Sequence, residues 1–320
     1  MLKSDLPQYA RRSMCPQGRH NTSGRLETVP VPTRVSYSSV GSGYDTRMGS
    51  IMARRECTSR AGPGRRSARA GALLVLGLLL ALSACGDRAP PQTPDVLRTL
   101  PHDPGAYTQG LLLHEGRFYE STGRYGESTL REVEVETGRV LRSVELPEEY
   151  FGEGLALVDD RLIQLTWKEE VAFVYDLETF EEIDRFSYDT EGWGLCYDGE
   201  WLYMTTGGTM LYRRDPGSFE VVDRVQIARR GQPVWRANEL ACVGDYVFAN
   251  VFMTDRILQI DKRSGEVVRE FDGSVLIPEG GRPASAEAVL NGIAHDPATG
   301  TFYLTGKLWP TMFEVHLPGN

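Results

Sequence analysis

Histidine and cysteine are scarce in this chain, five of each among 320 residues. After residue 85 the histidines are His102, His114, His295 and His316, with no pair at ligand spacing, which argues against a metal hydrolase. Only Cys196 and Cys242 remain in the same stretch, and they lack the spacing of a metal site. The apolar run from Ala72 to Leu82 is too short for an ordinary membrane-spanning helix, which needs about 20 residues. Basic residues are also deficient. Beyond Cys85 there are 22 Lys and Arg against 40 Asp and Glu, a balance of −18 where the whole chain carries −9. Such a surface repels phosphate backbones and anionic headgroups, so nucleic-acid binding is disfavoured, while a cationic ligand is drawn in.

What precedes Cys85 has the opposite character, with 13 Lys and Arg against 4 Asp and Glu. The stretch from Ala53 has an arginine-rich start, the short apolar run, and small residues at its end, the layout of a secretory leader. It closes on LSAC, Leu82 to Cys85, which resembles a bacterial lipobox whose cysteine is acylated. The expected organisation is a non-native or disordered extension over 1–51, a lipoprotein leader over 52–85, a proline-containing tether over 86–94 and a folded domain over 95–318. The protein is then exported and held at the periplasmic or outer face of the cell envelope, touching the membrane only through its lipid.

The folded domain repeats. QGLLL, EGLAL, WGLCY, NELAC and NGIAH begin at Gln109, Glu153, Trp193, Asn238 and Asn291, spaced by 44, 40, 45 and 53 residues. Each opens a strand and is followed by a second and a third, with turn residues such as DPGS and KRSG before an outer fourth strand. The fifth repeat lacks that outer strand, but DVLRTLP from Asp95 resembles VLRSVELP from Val140. The expectation is an all-β, five-bladed β-propeller whose last blade is completed by the N-terminal strand of the mature domain. Innermost strands line a central channel, so Gln109, Glu153, Trp193, Asn238 and Asn291 should meet at one mouth. Cys196 and Cys242 fall at offsets of opposite parity on different strands, hence on opposite faces, and two separate buried thiols are expected.

AYTQG, YFGEG, QLTW, EGWGL, NEL, ANVF, VLNGIA and TGKLWP, in that order over residues 106–310, resemble the plant and bacterial glutamine cyclotransferases. The resemblance implies a propeller enzyme that converts the N-terminal glutamine of peptides and proteins to pyroglutamate with release of ammonia and without metal or other cofactor. It also implies Glu153 as catalytic acid, in FGEG, and Lys307 as a site residue, in GKLW. Two positions depart from the family pattern: Phe252 stands where a tryptophan is common, and Tyr107 where phenylalanine is usual.

The chemistry fits these residue types. An α-amine must lose its proton, attack its own γ-carboxamide and expel ammonia, and a single carboxyl group tuned by burial can carry that proton. Trp167, Trp193 and Trp309 are expected to wall the mouth, with Tyr107, Phe151 and Phe252 adding aromatic surface for a cationic amine. Gln109, Asn238 and Lys307 are candidates for gripping the γ-amide and the substrate backbone. Asn291 bridges blades in this reading, Glu239 is a structural partner buried between blades, and Glu191 supports the site from behind. Trp201 and Trp235 are structural or rim residues. The long connection from Gly273 to Val289 is expected to flank the mouth and shape peptide access. A monomer is expected. The rivals are a tethered, non-catalytic binding propeller and a glycosidase, which needs two acids at the mouth.

Overall fold

The computed structural model describes residues 91–319. The leader, Cys85, the 1–51 extension and most of the tether lie outside the described residues.

Short alternating segments punctuated by Asp, Gly and Ser form five antiparallel sheets of four strands each. Blade one runs Thr108–His114, Arg117–Thr122, Thr129–Glu134 and Val140–Glu145. Blade two runs Gly152–Val158, Arg161–Thr166, Val171–Asp176 and Glu182–Ser187. Blade three has Leu195–Tyr197, Leu202–Met204, Met210–Arg214 and Val221–Gln226. Blade four has Ala237–Val243, Tyr246–Val251, Arg256–Asp261 and Val267–Asp272. Leu290–His295, Phe302–Gly306 and Thr311–His316 make three strands of blade five. The fourth is Asp95–Pro101, paired antiparallel with the last strand from Asp95↔His316 to Pro101↔Thr311. The ring closes as its repeats predict. A two-stranded ribbon, Ala228–Arg229 with Gln232–Pro233, is added between blades three and four.

Turn chemistry sets the strand ends. Asp176, Asp215 and Asp261 each accept a backbone N–H three residues on, at 2.8, 2.7 and 2.8 Å, turning the chain between third and fourth strands. Burial falls outward: the inner strand Gly152–Val158 is almost wholly buried, whereas its outer partner Glu182–Ser187 is nearly all exposed. The core is therefore not central. Five apolar clusters occupy the five seams between successive sheets, as where Leu130 of blade one meets Leu162 and Phe173 of blade two.

Inner strands crowd the hub. A Cβ on Gly154 would stand 2.5 Å from the Leu195 amide nitrogen, and one on Gly194 would stand 1.9 Å from the Asn238 carbonyl oxygen. In the remaining repeats the same offset holds Gly110, Gly292 and Glu239. That one side chain crosses the hub: Glu239 accepts the amides of Leu111 in blade one, at 3.0 Å, and Ile293 in blade five, at 2.7 Å. It is buried as expected, though it spans the channel rather than filling one seam. Burial pushes its carboxyl well above the ordinary range, against the downward pull of the two amides.

The cysteines overturn an expectation. Cys196 and Cys242 form a disulfide, with Cα atoms 5.5 Å apart. Opposite faces of two aligned strands diverge within a flat sheet, but stacked blades present opposite faces to each other across their shared seam. Opposite parity in neighbouring repeats is thus the condition for contact. With a sequence separation of 46 the crosslink contributes about 4 kcal/mol in a chain-entropy account. Reducing it, or replacing both cysteines with serine, is expected to lower Tm by roughly 8–16 °C; calorimetry with and without reductant checks this, and an unchanged Tm contradicts it.

Candidate active site

A β-bulge near the start of the inner strand puts two residues opposite one in blades one, two, four and five, between Thr108/Gly110, Gly152/Leu155, Ala237/Leu240 and Leu290/Ile293. Such bulges re-aim side chains. Here the bulged positions include Gln109, Glu153, Asn238 and Asn291, the shared offset of the repeats. In blade three Trp193 N donates to Thr205 O and Thr205 N to Gly194 O, giving the same two-to-one pairing.

The result is a cavity of about 280 Å³ lined by Tyr107, Gln109, Phe151, Glu153, Trp167, Trp193, Asn238, Phe252, Glu287 and Lys307. Nine of these ten are residues the sequence singles out. A second cavity of about 250 Å³, at the other end of the inner strands, is lined mainly by apolar side chains such as Leu113, Ala156 and Leu157 and by no carboxylate. Acid–base chemistry belongs to the first.

Glu153 sits at the end of a chain of amides. Asn238 Nδ2 donates to Asn291 Oδ1 at 3.0 Å, Asn291 Nδ2 to Gln109 Oε1 at 3.3 Å, and Gln109 Nε2 to Glu153 Oε1 at 3.0 Å. Asn291 also donates to the Thr108 carbonyl at 2.9 Å, which ties the chain to the backbone. Asn238 Oδ1 is buried and has no protein partner among the described residues. Burial drives the Glu153 carboxyl well above the usual range; Lys307 opposes that rise, while Glu169 and Glu191 add to it.

The walls are aromatic and interlocked. Phe151 meets Tyr107 and Trp167 edge-on, with ring centres 6.1 and 5.6 Å apart, and Trp193 meets Phe252 at 5.6 Å. One carboxylate fixes both indoles: Glu191 Oε2 accepts Trp167 Nε1 and Trp193 Nε1, each at 3.0 Å. Its supporting place behind the site, expected from the sequence, thus has a definite form.

Lys307 is buried between rings, its Nζ 4.5 Å from the centre of Tyr107 and 5.1 Å from that of Phe252. Desolvation lowers its pKa to about 8 against the upward pull of Glu153 and Glu287. Tyr107 is pushed up to about 12 by burial and by the same two carboxylates.

Trp309 does not reach the mouth. Its indole is fully buried and lies over Gly306, where a Cβ would come within 2.3 Å of the ring. Its Nε1 donates to the Ala288 carbonyl at 3.0 Å. The tight turn at Gly306–Trp309 throws lysine and tryptophan to different sides, which spacing alone does not disclose. Trp309 instead staples down the 273–289 connection, whose Glu287 is the lining residue that sequence reasoning missed. Glu287 lies outside the repeat register, so no periodic signal marks it.

The family model for glutamine cyclotransferase matches residues 71–317. The chain is 36% identical over 230 residues to a glutaminyl-peptide cyclotransferase of Arabidopsis thaliana, covering 70% of this chain and 71% of the plant protein. The crystal structure of Myxococcus xanthus glutaminyl cyclase superposes with a TM-score of 0.66 at 39% identity, covering 71% of this chain and 97% of that one. Sequence, fold and relatives agree, and the chain belongs to the glutamine cyclotransferase family.

Proposed function

We propose that this cavity cyclises the N-terminal glutamine of peptides and proteins to pyroglutamate, with Glu153 as the single proton carrier. Membership of the family and the two relatives support the reaction; the burial and bonding of Glu153 support its role. A substrate ammonium has a pKa of about 7.7 to 8.0, and a buried glutamate whose pKa is raised toward that range exchanges a proton with it readily. The neutral amine attacks the γ-carboxamide carbon, forming a C–N bond and placing negative charge on oxygen. Glu153 protonates the departing nitrogen and receives the proton of the newly formed ring nitrogen; collapse breaks the old C–N bond. The ammonia so formed takes the second proton from Glu153 and leaves as ammonium, and the carboxylate is restored.

The geometry divides the remaining work. Gln109 is committed at both ends of its amide and orients Glu153. Asn238 Oδ1, buried without a partner, is an acceptor for the substrate amine or an amide N–H, since a buried polar atom left unpaired costs about 1–3 kcal/mol. Lys307 is the donor to the developing oxyanion, in a site dry enough to make that contact strong. The rings of Trp167, Trp193, Phe151 and Tyr107 hold the amine and exclude water, and Phe252 preserves the wall without an indole donor. The carboxylate of Glu287 faces the same cation from the rim.

The protein is proposed to act as a monomer. We also read residues 52–85 as a lipoprotein leader and Cys85 as the acylated residue of an envelope-anchored protein. The Cys196–Cys242 disulfide supports an oxidising compartment.

The purified protein is expected to release ammonia from a glutamine-initiated dipeptide at the same rate with and without chelator, and Glu153→Gln to lower turnover at least about 10²-fold while melting normally. An ammonia assay reads both; no turnover by the wild type returns the protein to the class of binding modules, and more than about a tenth of activity in the variant removes the carboxylate from the proton path. Lys307→Met is expected to lower kcat/KM by about 10²–10³-fold, the usual loss for one oxyanion donor. Labelling cells with an alkyne fatty acid should mark the wild type and leave Cys85→Ser unmarked; equal labelling of both ends the anchor reading.

A further inference from the structure

Lys307 is carried on a strained turn. Trp309 N closes it on Gly306 O at 3.0 Å, and Leu308, a branched residue, has φ +63°. A non-glycine residue in that region costs on the order of 1–3 kcal/mol and persists only where its surroundings over-determine it. Those surroundings are specific: Lys307 N donates to Val289 O at 2.9 Å, and Leu308 N to Ala106 O at 2.7 Å. The Trp309 carbonyl accepts His102 Nδ1 at 2.7 Å.

His102 is buried, and its other nitrogen, Nε2, lies 3.1 Å from Glu120 Oε1. A carbonyl and a carboxylate are both acceptors, so both ring nitrogens must donate, and the imidazole is a cation. Everything packed against the ring is consistent. Glu120 also accepts Thr108 Oγ1 at 2.6 Å and Arg131 at 2.5 Å, and Arg131 bonds Asp103 at 2.8 Å, so two cations face two carboxylates. Thr305 Oγ1, 3.3 Å from Nδ1, is neutral and donates onward to the Thr311 carbonyl. Burial alone would lower the His102 pKa, but the charge and hydrogen bond of Glu120 and the bond to Trp309 hold it above its ordinary value, against Arg131. Glu120 is held below the carboxylate range, chiefly by Arg131 and His102 overcoming its burial.

The segment that begins at His102 also carries Tyr107, the ring beside Lys307 Nζ. We propose that His102, as an imidazolium, is a positioning residue for catalysis: its Nδ1–H anchors the Trp309 carbonyl and so fixes the Lys307 turn against Tyr107. This rests on the oxyanion role of Lys307 given above. His102 touches no cavity-lining atom by hydrogen bond; it acts through the turn.

Two amide substitutions separate its two bonds. Asparagine places an N–H donor where Nδ1 stands and loses the Glu120 contact, whereas glutamine places one toward Nε2 and loses the Trp309 carbonyl. His102→Asn is expected to keep kcat within about 3-fold of wild type, and His102→Gln to lower kcat by about 10-fold or more, with KM less affected, the scale on which a misplaced group acts. Both should lose Tm by similar amounts, so kcat is measured well below either Tm. Equal kcat for wild type and the Gln variant overturns the proposal, as does a folded Asn variant that loses as much as Gln. Should the Gln variant fail to melt cooperatively, the Asn variant decides alone: near-wild-type kcat upholds the anchor, and a 10-fold loss overturns it. Lys307→Met serves as control, because full activity there would overturn the oxyanion role itself, whatever His102 does.

Discussion

The close approach of five inner strands to one axis governs this molecule. Glycine at a shared offset lets backbone meet backbone where any side chain would collide, and Glu239 fills the one remaining place by bonding to amides of two other blades. A wider hub would let water into the channel, and desolvation of the cavity above it would lapse. The two glycines around Glu153 are therefore not ornaments of the acid. They bring its strand close enough to its neighbours for Gln109 on one side and Trp193 on the other to share one small cavity.

Desolvation then tunes both charged groups of the site in the same sense, toward neutrality. Glu153 rises and Lys307 falls to about 8, and each restrains the other's shift without cancelling it. The carboxylates of Glu169 and Glu191 act on Glu153 from behind the aromatic wall, so residues that hold the walls also set the acid's proton affinity. Structure and tuning share the same side chains. A change at Glu191 would disturb two tryptophans and one glutamate together.

The sequence disclosed whatever repetition carries. Blade number, closure by Asp95–Pro101, and the convergence of Gln109, Glu153, Trp193, Asn238 and Asn291 all follow from one period and one offset. What it hid lies where repetition stops or where facing sheets matter. Strand parity within a sheet does not register contacts across a seam, which is where Cys196 meets Cys242. Trp309 follows Lys307 by two residues, but a left-handed turn at Leu308 sends it into the core. Glu287 arises from a connection with no counterpart in the other blades. His102 belongs to no motif of the repeat, and only its bonds to Glu120 and Trp309 show what it holds.

Pairing the first strand of the domain with the last has a consequence for how the protein is made. Asp95–Pro101 emerges from the ribosome early and has no partner until Thr311–His316 follows, more than two hundred residues later. Such long-range pairing is slow to form. A chain truncated within its final strand would keep four complete sheets yet leave the opening strand without its partner. Closure thus waits on the last strand, and in the folded domain the first and last strands lie side by side on one blade.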